Sequence, residues 1–206
     1  MDALAVEQYG SRAGLAAIFQ SLNMQLFLDV MLQRKIPAAI CSNDTKSCYD
    51  RIVHGFAALA ALCLGVPLMA IEVMFGTIQQ LHHFIRTAYG DSLKSFSGTN
   101  SSKPIQGLGQ GNGAGPAIWA IVSSPILDSV QNAGYGVKLR SSVFKSKITT
   151  VGNGFVDDMD LLAADDMNHS VTDIVQSMQE GLDRGLRASV GALSANKSRW
   201  TLIDFE

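Results

Sequence analysis

Apolar residues recur along this chain at helical spacing in some stretches and in short unbroken runs in others, and the two periods divide it into elements. Leu15, Ile18, Phe19, Leu22 and Leu26 follow the i, i+3, i+4, i+7, i+11 spacing of one buried helix face, which predicts a helix from about residue 11 to 34. Ser11 is its expected N-cap, and Gln33, Arg34 and Lys35 suit its carboxyl end. Pro37 breaks the pattern, and residues 38 to 41 read as a buried strand that ends at Ser42, Asn43 and Asp44. A second helix is expected from Asp50 or Arg51 to Leu64, closed by Gly65 and Pro67, and a third from Pro67 to about Arg86. Residues 87 to 102 are rich in Gly, Asp, Ser and Asn and read as an exposed strand-and-turn excursion. A glycine-rich loop, 107 to 115, precedes a helix that Pro116 opens and that ends near Gly134. Next come a loop with Lys138, Arg140, Lys145 and Lys147, a hairpin around Asp157, a helix marked by Val171, Ile174, Val175, Met178 and Leu182, and a closing strand at 200 to 203.

The hairpin organises the rest. Phe155 and Val156 lead into Asp157 and Asp158, and Leu161, Leu162 and Ala163 lead away. Adjacent strand residues point to opposite faces, so at most one of the two acids can follow the buried side. Paired carboxylates raise each other's pKa unless a positive charge sits between them, and a divalent cation is one remedy. An acidic turn is the bland alternative, since turns favour Asp. Strand, helices, hairpin, helix and strand together predict an α+β fold: a small antiparallel sheet with helices on one face. In that layout Asp44, at the end of the first strand, and Asp157 are neighbours at one sheet edge.

Composition narrows the class. The 206 residues are 47% hydrophobic and 17% charged, with a mean hydropathy of +0.17, which suits a well-buried globular domain. Cys41, Cys48 and Cys63 lack metal-ligand spacing and are expected as reduced, buried thiols in an intracellular setting, cytoplasm or nucleus. The most apolar stretch, 56 to 71, is interrupted by Gly65 and Pro67 and is too short to span a bilayer; no membrane association is expected. No signal peptide is visible. The net charge of −2 lacks the basic excess of a protein that grips nucleic acid unaided.

Three motifs in order resemble the palm of a reverse transcriptase of the retroelement, non-LTR-like type. They are Asp44 with Tyr49 five positions on, Gln110-Gly111 with Pro116 six positions after the Gln, and Phe155-Val156-Asp157-Asp158. Glu7 to Arg12 looks like the segment that precedes the first catalytic strand in such enzymes, and Lys197 matches the basic residue of the fourth palm motif. The resemblance covers nearly the whole chain. It implies one domain, 1–206, in which 1–35 is a partial fingers helix and 36–206 a palm with a fingers-like excursion near 87–106. Phe155 stands where Tyr is commoner. The basic upstream fingers segment and the thumb are expected to be missing, as in a retroelement (retrotransposon) remnant, with a further chain as their possible source.

The implied reaction is RNA-templated DNA synthesis: nucleotidyl transfer to a DNA primer from deoxyribonucleoside triphosphates, assisted by two Mg2+ (or Mn2+) ions. Asp44 and Asp157 are the implied metal ligands, with Asp158 a secondary ligand or orienting group. Tyr49 would lie under the incoming sugar; a plain core aromatic is the alternative. Gln110 and Gly111 would approach the nascent base pair, with Arg12 also on the nucleotide side; the glycine run alternatively is a flexible loop. Lys197 would protonate or neutralise the leaving pyrophosphate, or is simply solvated. Gly109-x-Gly111-x-x-Ala114 nearly fits a dinucleotide fingerprint, but no apolar strand precedes it. Asp50 reads as a helix opener, Asp165 and Asp166 as helix N-terminal acids, and His54, His82 and His83 as surface or helix-packing residues. Two rival readings remain: a non-catalytic remnant that binds nucleic acid or a partner, and another palm-fold nucleotidyl enzyme such as a cyclase.

Overall fold

The computed structural model describes residues 4–99, 104–109, 111–141, 143–166 and 168–205. Its centre is a four-stranded antiparallel sheet of β1 (Ala38–Asp44), β6 (Gly152–Phe155), β7 (Asp158–Ala164) and β8 (Arg199–Ile203), in the order β6-β7-β1-β8. The alternation of β1 and β7 assigns two faces. Ala39, Cys41, Met159, Leu161 and Ala163 join the main core with α2 (His54–Cys63), α3 (Leu68–Gln80), α4 (Gly115–Asn132) and α5 (Val171–Ala188). Ala38, Ile40, Leu162 and Ala164 face the other way, where Phe27 and Met31 of α1 (Ala17–Arg34) cover them. The fold is α+β, with most helices on one sheet face and α1 on the other. No helix among the described residues is long and apolar enough to cross a membrane.

α5 follows its sequence pattern closely. Val171, Val175, Met178, Leu182 and Leu186 are buried, and the Ser170 hydroxyl caps the helix by accepting from the Asp173 amide at 3.3 Å. α1 does not follow its pattern. It begins at Ala17, with Ser11 in a turn at φ 61° instead of at the cap. The stripe expected to be buried faces out, with Ile18 71% and Leu22 52% exposed. The helix is apolar on both sides, so the contact surface offered by β1, β7 and Val137 selects the Phe27–Met31 side.

Other boundaries move for local reasons. β1 runs on to Asp44 because Asn43, buried within it, exchanges amide hydrogen bonds with Gln179 at 2.8 and 3.1 Å. The second helix starts with a 3-10 turn, Tyr49–Arg51, before α2. α3 stops at Gln80, and Arg86 instead opens a two-stranded excursion, β2 (Arg86–Thr87) with β3 (Gly90–Asp91). The basic loop is a hairpin of β4 (Val137–Arg140) and β5 (Lys147–Thr150). Cys63 is exposed, unlike the buried Cys41 and Cys48.

Candidate functional site

β1 and β7 bring their acids together by register. Their last ladder pair is Asp44 opposite Asp158, which puts the two side chains about 5 Å apart at the Cβ level. Asp157 sits just before β7, in the two-residue turn with Val156 that joins β6 to β7. Val156 has φ 59°, a conformation that a β-branched residue rarely adopts. The turn is held from three sides. The indole N–H of Trp119 donates to the Val156 carbonyl, the Asp157 carbonyl accepts from the Thr45 amide at 3.2 Å, and Tyr9 and Glu7 exchange backbone hydrogen bonds with Gly154, each at 2.7 Å.

The neighbouring acids splay as adjacent strand residues should. Asp157 opens into a depression of about 380 Å³ with Asp44, Cys48, Tyr49 and Lys197. Asp158 and Asp160 open instead, with Asp44, Lys197 and Arg199, into a groove of about 550 Å³ whose far wall is α1, through Gln20, Ser21 and Met24. Asp44 and Lys197 therefore lie between the two sides, and the Lys197 ammonium stands 3.4 Å from the Asp44 carboxylate. Burial raises the Asp158 pKa, and the charges of Asp157, Asp44 and Asp160 raise it further, against a smaller opposing pull from Lys197. Cys48 is pushed up to about 12, by burial first and then by Asp157, so its thiol stays protonated. Burial, then Cys48 and Asp157, push Tyr49 up to about 12.

Tyr49 packs its ring against Gly115, at which an added Cβ would lie 3.3 Å from the ring. The glycine-rich loop is fastened beneath it. Leu108 N–H donates to Tyr49 O at 3.0 Å and Gly107 N–H to Ile52 O at 2.8 Å. Gly107 has φ 76°, and an added Cβ would lie 2.6 Å from the Asp50 carbonyl oxygen, so both conformation and space demand glycine there. His54 is buried, and its Nε2 meets Gly107 O at 2.7 Å while its Nδ1 meets Gln79 Nε2 at 2.8 Å. It is a helix-packing residue that also anchors this loop.

The expected site residues divide as follows. Asp44, Asp157, Asp158, Lys197 and Tyr49 converge. Gly111 is exposed in the middle of the loop, and Gln110 lies outside the described residues. Arg12 is held elsewhere: its guanidinium donates to Ala5 O at 3.1 Å and Gln8 O at 3.2 Å, and it lines a separate depression with Leu4 and Leu15. Among the described residues no three His, Cys, Asp or Glu side chains are grouped closely enough to hold a metal ion. The set Asp44, Asp157 and Asp158 thus offers two pairs that share Asp44, not a three-ligand cage. Arg199, Asp160 and Gln20 were not legible as site residues. Only the pairing of β8 with β1, Ser42 opposite Arg199, and the Gln20–Asp160 hydrogen bond at 3.2 Å bring them to the groove.

No protein-family model and no curated protein matches the sequence. Solved structures do match. Telomerase from Candida albicans in complex with a TWJ fragment of telomeric RNA is 15% identical with a TM-score of 0.63, over 92% of this chain and 30% of that one. Apo telomerase from Candida tropicalis, truncated from its C-terminal domain, is 14% identical with a TM-score of 0.60, over 97% and 37%. Telomerase from Candida tropicalis with a TWJ fragment is 13% identical with a TM-score of 0.62, over 95% and 30%. The chain thus spans about a third of the telomerase chains it matches, and its fold is reverse-transcriptase-like.

Proposed function

We propose that this chain carries the palm of an RNA-templated DNA polymerase, and that residues 36–206 bear its nucleotidyl-transfer site while 1–35 belong to the fingers. The observation that carries this reading is the meeting of Asp44 with Asp157 and Asp158 on either side of it, with Tyr49 and Lys197 at the same sheet edge. Hard carboxylate oxygens suit Mg2+ or Mn2+, and an ion that keeps several waters needs only the one or two protein carboxylates that each side offers. Burial first, and then the charges of Asp157, Asp44 and Asp160, raise the Asp158 pKa, and a bound cation would offset the part that comes from those charges. Asp44 and Asp157 would hold one ion and Asp44 and Asp158 would adjoin a second; when bound, such ions stabilise charge on the attacking and leaving oxygens.

The chain's own residues have simpler tasks. Lys197 balances Asp44 and would neutralise, or give a proton to, the departing pyrophosphate. The Tyr49 ring, fixed by Gly115, would underlie the sugar of a deoxyribonucleoside triphosphate and exclude a 2′-hydroxyl. Gly111, with Gln110 beside it, would let backbone approach the base pair of RNA template and DNA primer. Arg12 keeps a nucleotide role only at a distance, through the segment it ties down. An intracellular setting, cytoplasm or nucleus, suits these substrates. The solved structures named above are telomerases, and the non-LTR retroelement origin is supported by the Glu7 to Arg12 segment.

Primer extension on a homopolymer RNA template with Mg2+ or Mn2+ tests the reading, in a form of the protein that holds a primer. Asp157→Asn should cut extension by more than the roughly 10–100-fold that loss of an outer-shell partner costs, at an unchanged Tm. Equal extension by the variant would defeat the proposal. A non-catalytic remnant is the second reading. It predicts nucleic-acid binding without metal-dependent extension. The packed Tyr49 and the glycine-rich loop speak against a cyclase.

A further inference from the structure

The β4–β5 hairpin takes no part in the site, yet it concentrates more positive charge than any other stretch of comparable length. Residues 137–150 contain Lys138, Arg140, Lys145 and Lys147 and no acid; taking these four from the chain's net −2 leaves −6 on the remainder. All four bases are exposed, and none makes an ion pair among the described residues. The register places Arg140 directly opposite Lys147 and Lys138 opposite Thr149. Cross-strand partners share a face, so Lys138, Arg140 and Lys147 stand on one side, while Val137 and Leu139 pack into the α1 cluster. Like charges directly opposite each other destabilise a ribbon, and a two-stranded ribbon is only marginally stable. A bound polyanion removes that cost.

The tip adds a second feature. Val143 and Phe144 are 77% and 84% exposed, and Lys145, beside them, has φ 52°. The Phe144 amide donates to the Ser141 hydroxyl at 3.1 Å, which fixes the turn with the ring outside. A protruding aromatic between bases is how a single strand is held: a base stacks on the ring while its phosphates meet the cations. Asp165, Asp166 and Asp173 lie with Lys138 around a cavity at the hairpin's base, so the favourable path runs along Arg140, Lys147 and the tip. β5 then leads through Val151 and β6 to the turn of Asp157, a span of at most about 35 Å.

We propose that the β4–β5 hairpin is an arm for single-stranded nucleic acid, with Arg140, Lys145 and Lys147 on phosphates and Phe144 under a base. This rests on the nucleic-acid reading of the site but not on catalysis. The test is fluorescence anisotropy of a labelled oligouridylate titrated with the full chain across a series of KCl concentrations. Wild type should bind with a salt-dependent affinity. Arg140→Gln/Lys145→Gln/Lys147→Gln should bind at least about tenfold more weakly, with a log–log salt slope smaller by about 2, at roughly 0.7 per lost phosphate contact. Phe144→Ala should weaken binding and leave the slope alone. Should the triple variant lose its circular dichroism, Lys145→Gln at the exposed tip should still lower the slope by about 0.7. Primer extension reads the catalytic proposal and anisotropy reads the arm, so failure of the one is distinguishable from failure of the other. Unchanged affinity and slope in the folded variants, no binding by wild type at low salt, or a preference for phosphatidylserine vesicles over the oligouridylate would each overturn the assignment.

Discussion

Glu7 is a carboxylate placed against its own stability. It is 2% exposed, and neither of its side-chain oxygens has a hydrogen-bond partner. Burial raises its pKa, partly offset by the nearby amides of Glu7 and Val151, and Asp128 adds to the rise. The folded chain therefore holds this proton more tightly than the unfolded one, and stability falls as pH climbs from the ordinary glutamate range through the raised value. Its backbone meanwhile pins Gly154 of the β6–β7 hairpin. Glu7→Gln keeps the shape and removes the buried charge. An unsatisfied buried group costs about 1–3 kcal/mol, and regaining about 1 kcal/mol raises Tm by about 2–4 °C in a domain of this size. The expected result by differential scanning calorimetry is a higher Tm for Glu7→Gln at pH 7 and a gap that closes at acid pH. A Tm at or below wild type at pH 7 would show that an ordered water or cation satisfies the carboxylate.

At the scale of elements, the β6–β7 hairpin is the part on which the site depends. β6 would be an exposed sheet edge, but the Glu7 to Tyr9 segment covers it, with Gln8 bridged to Gly154 in parallel and its side-chain amide on the Ser123 hydroxyl of α4 at 2.9 Å. Within the hairpin, Gly152 allows the strands to close. A Cβ there would lie 1.9 Å from the Asp160 carbonyl oxygen, which is backbone and has no room to yield. Gly152→Ala should therefore cost at least the ~1–3 kcal/mol of overpacking and lower Tm by about 2–4 °C for each kcal/mol. It should also disturb Asp157 and Asp158 together, because both follow from this ladder. Calorimetry checks the first effect and primer extension the second. An unchanged Tm would mean that the hairpin has another way to pack.

Across the whole molecule, charge limits what this chain does unaided. Lys and Arg total 16 against 18 Asp and Glu, and the sheet edge of Asp44, Asp157 and Asp158 adds a local concentration of carboxylates. Affinity for a template–primer duplex comes largely from cations on phosphates, and the β4–β5 hairpin is a small supply. Apolar side chains are exposed as well, on α1 through Ile18, Leu22 and Leu26 and on α3 through Met69 and Val73. The 206-residue chain should bind a template–primer weakly, lose it with added salt, and extend it by few nucleotides per encounter. Extension by many nucleotides at physiological salt, with Asp157→Asn inactive beside it, would contradict this.

Local chemistry determined a good part of the protein. Asp44, Tyr49, Asp157, Asp158 and Lys197 were singled out through the resemblance to a reverse-transcriptase palm, whose motifs are short and fall in a definite order, and the fold brings them together. α5 was legible because its apolar residues lie on one face and polar ones on the rest, which leaves a single way to bury it. α1 offered two apolar sides, and only the presence of Ala38, Val137 and Leu162 decided between them. The register of Asp44 against Asp158 was decided the same way. A slip of one residue would turn Leu161 and Ala163 out of the core, so the burial of β7 sets which acids face each other. The splay of Asp157 and Asp158, the buried anchor at His54, the outward hairpin of bases and the unpaired Glu7 all depend on partners more than twenty residues away in sequence or on the sheet as a whole. Such contacts have no local signature, because their energy exists only once the distant surfaces have met.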